Sequence, residues 1–228
     1  PPTVRPSDTM STMQRLTGLA PTMGNRVNLL IDAEQAYPAI FKAIAEAQSY
    51  VVAEFYYIVD DATGKQFRRA LCDAAKRGVK VYLIHAGAWA LTMPRAALRE
   101  MRQAQVHLTA FQSRRTMGWW SWLQPWRRFQ LNFRNHRKIV VADGRVALMG
   151  GMNISDEHVH QHPDPRLRPW RDTHVRIEGP AALQVQLAWL EDWFSATETL
   201  PDLNWTPRVA AGLALDEAEG EGEREGER

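Results

Sequence analysis

The stretch NHRKIVVADGRVALMGGMN, residues 135–153, reads as two short apolar strands, Lys138 to Ala142 and Arg145 to Met149, joined by the dipeptide Asp143-Gly144. Asp-Gly between two apolar arms is the signature of a tight hairpin turn. Working outward toward the N-terminus, strand-like and helix-like segments alternate. Val27 to Ile31 is a short apolar strand, and Asp32 caps a helix through Gln48 with Ala36, Ile40, Ile44 and Ala47 on one face. Tyr50 to Val59 is β-branched and aromatic, Gly64 opens a helix that ends near Gly78, and Val79 to Ile84 is a nearly continuous apolar strand. Pro94 precedes a helix to about Gln103, and Val106 to Phe111 extends again. Beyond the hairpin lie a polar loop from Asp156 to Arg171, a strand from Thr173 to Glu178, and a helix to Thr197 opened by Gly179-Pro180. That helix carries Leu183, Leu187, Leu190 and Phe194 at helical spacing, and its Trp189, Trp193 and Phe194 cluster reads as core packing. Strands alternating with helices predict an α/β sandwich, its helices covering a largely buried sheet. Residues 1–24 are expected to be an irregular lead-in and 25–200 one globular domain. Residues 201–228 read as a linker and a disordered acidic tail.

With 45% hydrophobic residues, the body of the chain is excluded from the disordered class. The net charge is +2, but the last thirteen residues hold seven acidic and two basic side chains, which leaves the body near +7. A basic body favours an anionic partner, either nucleic acid or an acidic membrane surface. Cys72 is the single cysteine, so no disulfide forms within the chain, and it reads as a buried thiol. No run approaches the roughly 20 apolar residues of a membrane span. The sequence opens Pro1-Pro2, so an upstream segment, including an anchor, is left open.

Chemistry concentrates at the open end of the hairpin. Side chains alternate along a strand, so His136 and Lys138 point into one pocket and Arg137 points away. The returning arm brings Gly150 and Gly151 beside them, where missing side chains would let a phosphate oxygen reach the backbone amides. Asn153 can supply a further donor. A histidine nucleophile beside a fixed cation and neutral donors suits a pentavalent phosphorane. Arg134, Asn135 and Glu54 join the two glycines as candidate substrate contacts, although Glu54 fits a solvated or ion-paired carboxylate equally well.

His136, Lys138 and Asp143 match HxKxxxxD, and the chain thereby resembles the phospholipase D superfamily; the following Gly-Gly-x-Asn resembles its bacterial cardiolipin synthase branch. Phe55-Tyr56-Tyr57-Ile58 before Asp60-Asp61, Asn153-Ile154-Ser155-Asp156-Glu157 and Trp170-Arg171-Asp172-Thr173-His174 extend the resemblance over about residues 15–200. It implies an α-β-α sandwich with a mixed central sheet flanked by helices. It also implies a phosphohistidine intermediate, and transfer of a phosphatidyl group between phosphatidylglycerol molecules with release of glycerol, needing neither cofactor nor metal. The partners implied are anionic phospholipid and the surface of a bacterial inner membrane. Catalytic candidates are His136, Lys138, Asp143, Asn153 and Asp172, with Asp172 orienting the imidazole and Asp143 tying the hairpin turn. Two departures stand out. His85-Ala86-Gly87-Ala88-Trp89-Ala90 replaces the family's Asp and Gly-Ser turn, and no second HxKxxxxD occurs in the 228 residues. Either a second chain supplies the missing histidine by two-fold pairing, or the chain is a half-domain of a longer or degenerate protein. Alternatives are hydrolysis of phospholipid, hydrolysis of nucleic acid by a single-motif homodimer, and an inactive half-domain.

Trp119, Trp120, Trp122 and Trp126, with Arg127 and Arg128, compose a segment suited to a bilayer interface; a flap folded on the protein is the other reading. His158, His160, His162 and Asp164 mimic a zinc site but lie in a Pro-rich loop without a separated ligand pair, and are expected to be a solvated loop near the site.

Overall fold

The computed structural model describes residues 6–86, 91–111, 136–159 and 171–203. Its elements are α1 (Pro6–Thr17), β1 (Arg26–Ile31), α2 (Asp32–Glu46), β2 (Tyr50–Phe55), β3 (Ile58–Val59), α3 (Ala62–Lys76), β4 (Lys80–Ala86) and β5 (Leu91–Thr92). They continue with α4 (Arg95–Gln103), β6 (His107–Phe111), β7 (Ile139–Ala142), β8 (Val146–Gly150), a 3-10 turn (Asp156–His158), β9 (Thr173–Glu178) and α5 (Ala181–Thr197). Seven strands form one sheet in the order β1-β9-β8-β7-β2-β4-β6. β2, β4 and β6 run parallel, and the other neighbours are antiparallel, so the sheet is mixed as expected. The short β3 and β5 pair separately.

Strand alternation sorts the sheet's side chains into two cores. Val51, Ala53, Phe55 and Val140 face α2, α3 and α4, whereas Tyr50, Val52, Ile139 and Val141 face α5. β2, covered on both faces, is buried at every position. Its central place follows from a composition with no solvent face to offer.

The expected turn is observed. Asp143 and Gly144 both adopt left-handed backbone, with φ of 52° and 65°, the pairing that a type I′ hairpin demands. A side chain at Gly144 would also stand 2.7 Å from the Tyr50 hydroxyl, so glycine is required there twice over. The Asp143 carboxylate accepts from the backbone N–H groups of Gln48, Ser49 and Tyr50 at 2.8, 2.8 and 2.9 Å. Three donors at the entrance of β2 are thereby satisfied by the turn of another hairpin. Asp143 lies at the end of β7 opposite His136, so its carboxylate ties the turn to β2 and stands apart from the other candidate residues.

Three local expectations change. The lead-in contains helix α1, begun by Pro6, whose missing N–H costs nothing at a helix start, and closed by Gly18 at φ 70°. The strand from Tyr50 breaks after Phe55. Tyr57 and Val59 then leave the main sheet, their N–H groups donating to Asn153 Oδ1 and Ile154 O. Finally, α5 is turned by about one residue: Ala182, Gln186, Trp189 and Trp193 face inward, while the leucine stripe is half-buried and Phe194 is exposed. Indole bulk decides this orientation, and Trp189 Nε1 donates to Ala53 O at 3.0 Å. The tryptophan-rich segment, His160, His162, Asp164, Arg134, Asn135, Gly87 to Ala90 and the acidic tail lie outside the described residues.

Asp143→Ala removes a charged acceptor from three backbone donors and is expected to destabilise the protein by at least about 2 kcal/mol. Asp143→Asn, which keeps one acceptor oxygen, should cost less. Thermal unfolding followed by circular dichroism measures both, and equal stability of all three proteins would contradict the assigned role.

Candidate active site

β2 and β4 end, β7 begins and β8 returns at one end of the sheet, and the candidate residues collect there. Lys138 precedes β7 and is 2% exposed. Its Nζ donates to the His136 carbonyl oxygen at 2.7 Å and sits 5.5 Å from the centre of the Tyr56 ring. The exposed His136 imidazole lies 5.0 Å from the same ring. Tyr56 therefore neighbours both the nucleophile candidate and the cation. Arg137 points to the opposite face, as expected, and pairs with Asp192 of α5.

Burial, then the neighbouring Lys138 ammonium, lowers the His136 pKa and keeps the imidazole neutral and nucleophilic. Burial likewise lowers Lys138 to about 8, opposed by the carboxylates of Asp172 and Glu54. A cation so little hydrated interacts strongly with an anion that reaches it.

The glycines serve differently from the expectation. Gly150 N–H donates to Lys138 O and Gly151 N–H to Thr173 O, both at 3.3 Å, so both amides are used within the fold. A side chain at Gly150 would come within 2.5 Å of His174 Nδ1, and one at Gly151 would collide with the Asp172 carboxylate. These positions are small because Asp172 and His174 pack against them. They are not an open cradle for phosphate amide contacts.

Asp172 is held at the backbone by Asp32, whose N–H donates to Asp172 O at 3.0 Å and whose Oδ1 accepts from Asp172 N–H at 2.8 Å. The left-handed Asp32, φ 56°, thus clamps the neighbouring segment, and its side chain does not cap α2 as expected. The Asp172 carboxylate accepts from Thr173 N–H and raises the proton affinity of Lys138, His158 and His174. Asn153 is buried; its Oδ1 accepts from Tyr57 N–H, and its backbone N–H donates to His158 Nε2 at 3.3 Å.

His158, 6% exposed, is consequently no solvated loop residue: it is turned inward and braces the Gly-Gly-x-Asn segment. His174, 1% exposed, faces Gly150 across the sheet, and burial drives its pKa down to about 4. Alternation from Asp172 would have placed His174 on the same face, whereas loop composition carries no signal for His158. Glu54 moves the other way. It is 2% exposed on the α5 face, behind the site, and so cannot touch a substrate as expected.

Residues 40–181 match the family described as cardiolipin synthase, PLD-like domain. Cardiolipin synthase A of Pseudomonas entomophila (strain L48) is 41% identical over 204 residues, covering 88% of this chain and 40% of that protein. The chain spans 38% to 40% of the length of the curated relatives it matches. Among solved structures, phosphatidylserine synthase from Haemophilus influenzae is 16% identical with a TM-score of 0.56, covering 90% of this chain and 46% of that one. Nuc, a phospholipase D family member from Salmonella typhimurium, is 17% identical with a TM-score of 0.54, covering 75% and 96%. These two share the fold. With His136, Lys138, Asn153 and Asp172 gathered at one end of a mixed sheet, and a matched segment spanning more than half of its residues, the chain belongs to the cardiolipin synthase, PLD-like domain family.

Proposed function

We propose that this chain is the catalytic half of a cardiolipin synthase-type phosphatidyltransferase. His136 attacks the phosphorus of phosphatidylglycerol, the bond to the glycerol headgroup breaks, and a phosphatidyl-histidine forms. A second phosphatidylglycerol hydroxyl then attacks that phosphorus, releasing His136 and leaving cardiolipin. The observation that carries this reading is the pairing of a neutral, exposed His136 with a buried Lys138 at one strand entrance. Lys138 and Asn153 stabilise the phosphate oxygens, and Asp172, whose field acts on Lys138, is the carboxylate that orients the imidazole. The proton for departing glycerol comes from a second motif on another half-domain, whether in a longer chain or in a second copy. The tryptophan- and arginine-rich composition of the sequence before His136 supports an anionic bilayer surface as the setting, with the protein peripheral to the bacterial inner membrane or anchored by a further segment.

Incubation with phosphatidylglycerol vesicles, with the half-domain that carries the second motif supplied, should yield cardiolipin and glycerol in equal amounts. His136→Ala is expected to lower that rate by at least about 1,000-fold. Product formation unchanged in the variant sinks the assignment, and preferential retention of DNA over vesicles would redirect it toward a nucleic-acid phosphodiesterase.

The pH profile is the second check. Since His136 must be neutral and its pKa is lowered, kcat/KM should already be high below the ordinary histidine range. It should fall as pH rises through about 8, where Lys138 loses its charge. Lys138→Arg, which stays charged, should be slower but should lose this upper limb. An upper limb that persists unaltered in the variant excludes Lys138 as its source.

A further inference from the structure

Glu54 is an acid that the chemistry above does not use, buried where an acid is costly. Its partner in register is Ile139, and alternation places it on the α5 face together with Arg137. Both Glu54 oxygens are shut off from solvent and make no well-formed hydrogen bond among the described residues. Asp192 of α5 is the neighbouring carboxylate that acts on Glu54, and it also carries the ion pair to Arg137. Burial first, then Asp192, raises the Glu54 pKa to about 9, so Glu54 is a neutral donor near neutral pH. Two ionised carboxylates sharing one guanidinium would leave a buried negative charge uncompensated.

Arg137 is the residue between His136 and Lys138. Its tether is therefore a tether on both, applied from the back of the strand at the point where β7 begins. We propose that Glu54, Asp192 and Arg137 form a positioning relay: Glu54, as a neutral acid, backs Asp192, Asp192 holds Arg137, and Arg137 fixes the strand entrance that aims His136 and Lys138 at phosphate. The three residues touch no substrate and act through their neighbours. The aiming role rests on the catalytic reading above, whereas the relay is a property of the fold.

The test uses Glu54→Gln, which keeps a donor, Glu54→Leu, which removes it at similar volume, and Asp192→Asn, which discharges the Arg137 partner. Replacing a buried acid by leucine should leave the melting temperature equal or higher, which separates aiming from folding. In one arm, the ring nitrogen NMR signals of His136 and the affinity for inorganic phosphate are measured. Glu54→Gln should match the wild type, whereas Glu54→Leu and Asp192→Asn should shift or broaden the His136 signals and weaken phosphate binding. In the other arm, turnover of phosphatidylglycerol vesicles should show kcat lower by up to about 100-fold in the last two variants, with KM little changed. Glu54→Leu behaving as wild type in the first arm overturns the relay, and so does Glu54→Gln failing as badly as Glu54→Leu. Absence of turnover in the wild type defeats the catalytic reading alone, because the first arm still decides the relay.

Discussion

The Asp143 carboxylate gathers the first three N–H groups at the entrance of β2 and so joins the hairpin turn to the most buried strand of the sheet. A slip of one residue between β2 and β7 would break those bonds and turn every side chain of the hairpin to the wrong face. His136 and Lys138 would then face α5, and Arg137 would face Asp172. The one signature residue remote from the site is thus what sets the side of the sheet on which the site appears.

At the far end of the same strands, low hydration governs the chemistry. Lys138 is stripped of water yet held charged by the field of Asp172, and it is tied to the carbonyl of the residue it assists. His136 feels that positive field and stays neutral. Behind the strand, Glu54, Asp192 and Arg137 carry a compensated charge of their own. The two faces of β7 therefore hold two charge groups that feel each other through the strand, sorted by the alternation of a strand entrance only three residues long.

Much of this was legible before any coordinate. The hairpin, its Asp-Gly turn, the strand Thr173–Glu178 and the same-side placement of His136 and Lys138 all follow from local pattern. What failed to show depends on long-range packing. Trp189 and Trp193 were legible as core, but the half-burial of the leucine spacing and the exposure of Phe194 were not, because the indoles, one bonded to Ala53, set which side of α5 turns inward. The glycines looked like a phosphate cradle, since nothing nearby in sequence reveals that Asp172 and His174 fill the space. Glu54 looked like a substrate neighbour because an acid on a strand beside the site carries no mark of which helix will cover it.

The first strand of the sheet, β1, finds its partner in the last, β9, and Asp32 grips the Asp172 backbone with its own N–H and its carboxylate across 140 positions of sequence. On a ribosome, β1 is made early and waits for almost the whole domain before its edge is closed. A nascent or truncated chain that stops short of Glu178 leaves β1 unpaired on both edges beside Val27 and Leu29, which are exposed even in the finished sheet, and it also lacks the register that seats Asp172. Completion of the sheet and completion of the site are then a single late event in biosynthesis, so chains interrupted before it are exposed to edge-to-edge association and have no assembled chemistry to misdirect.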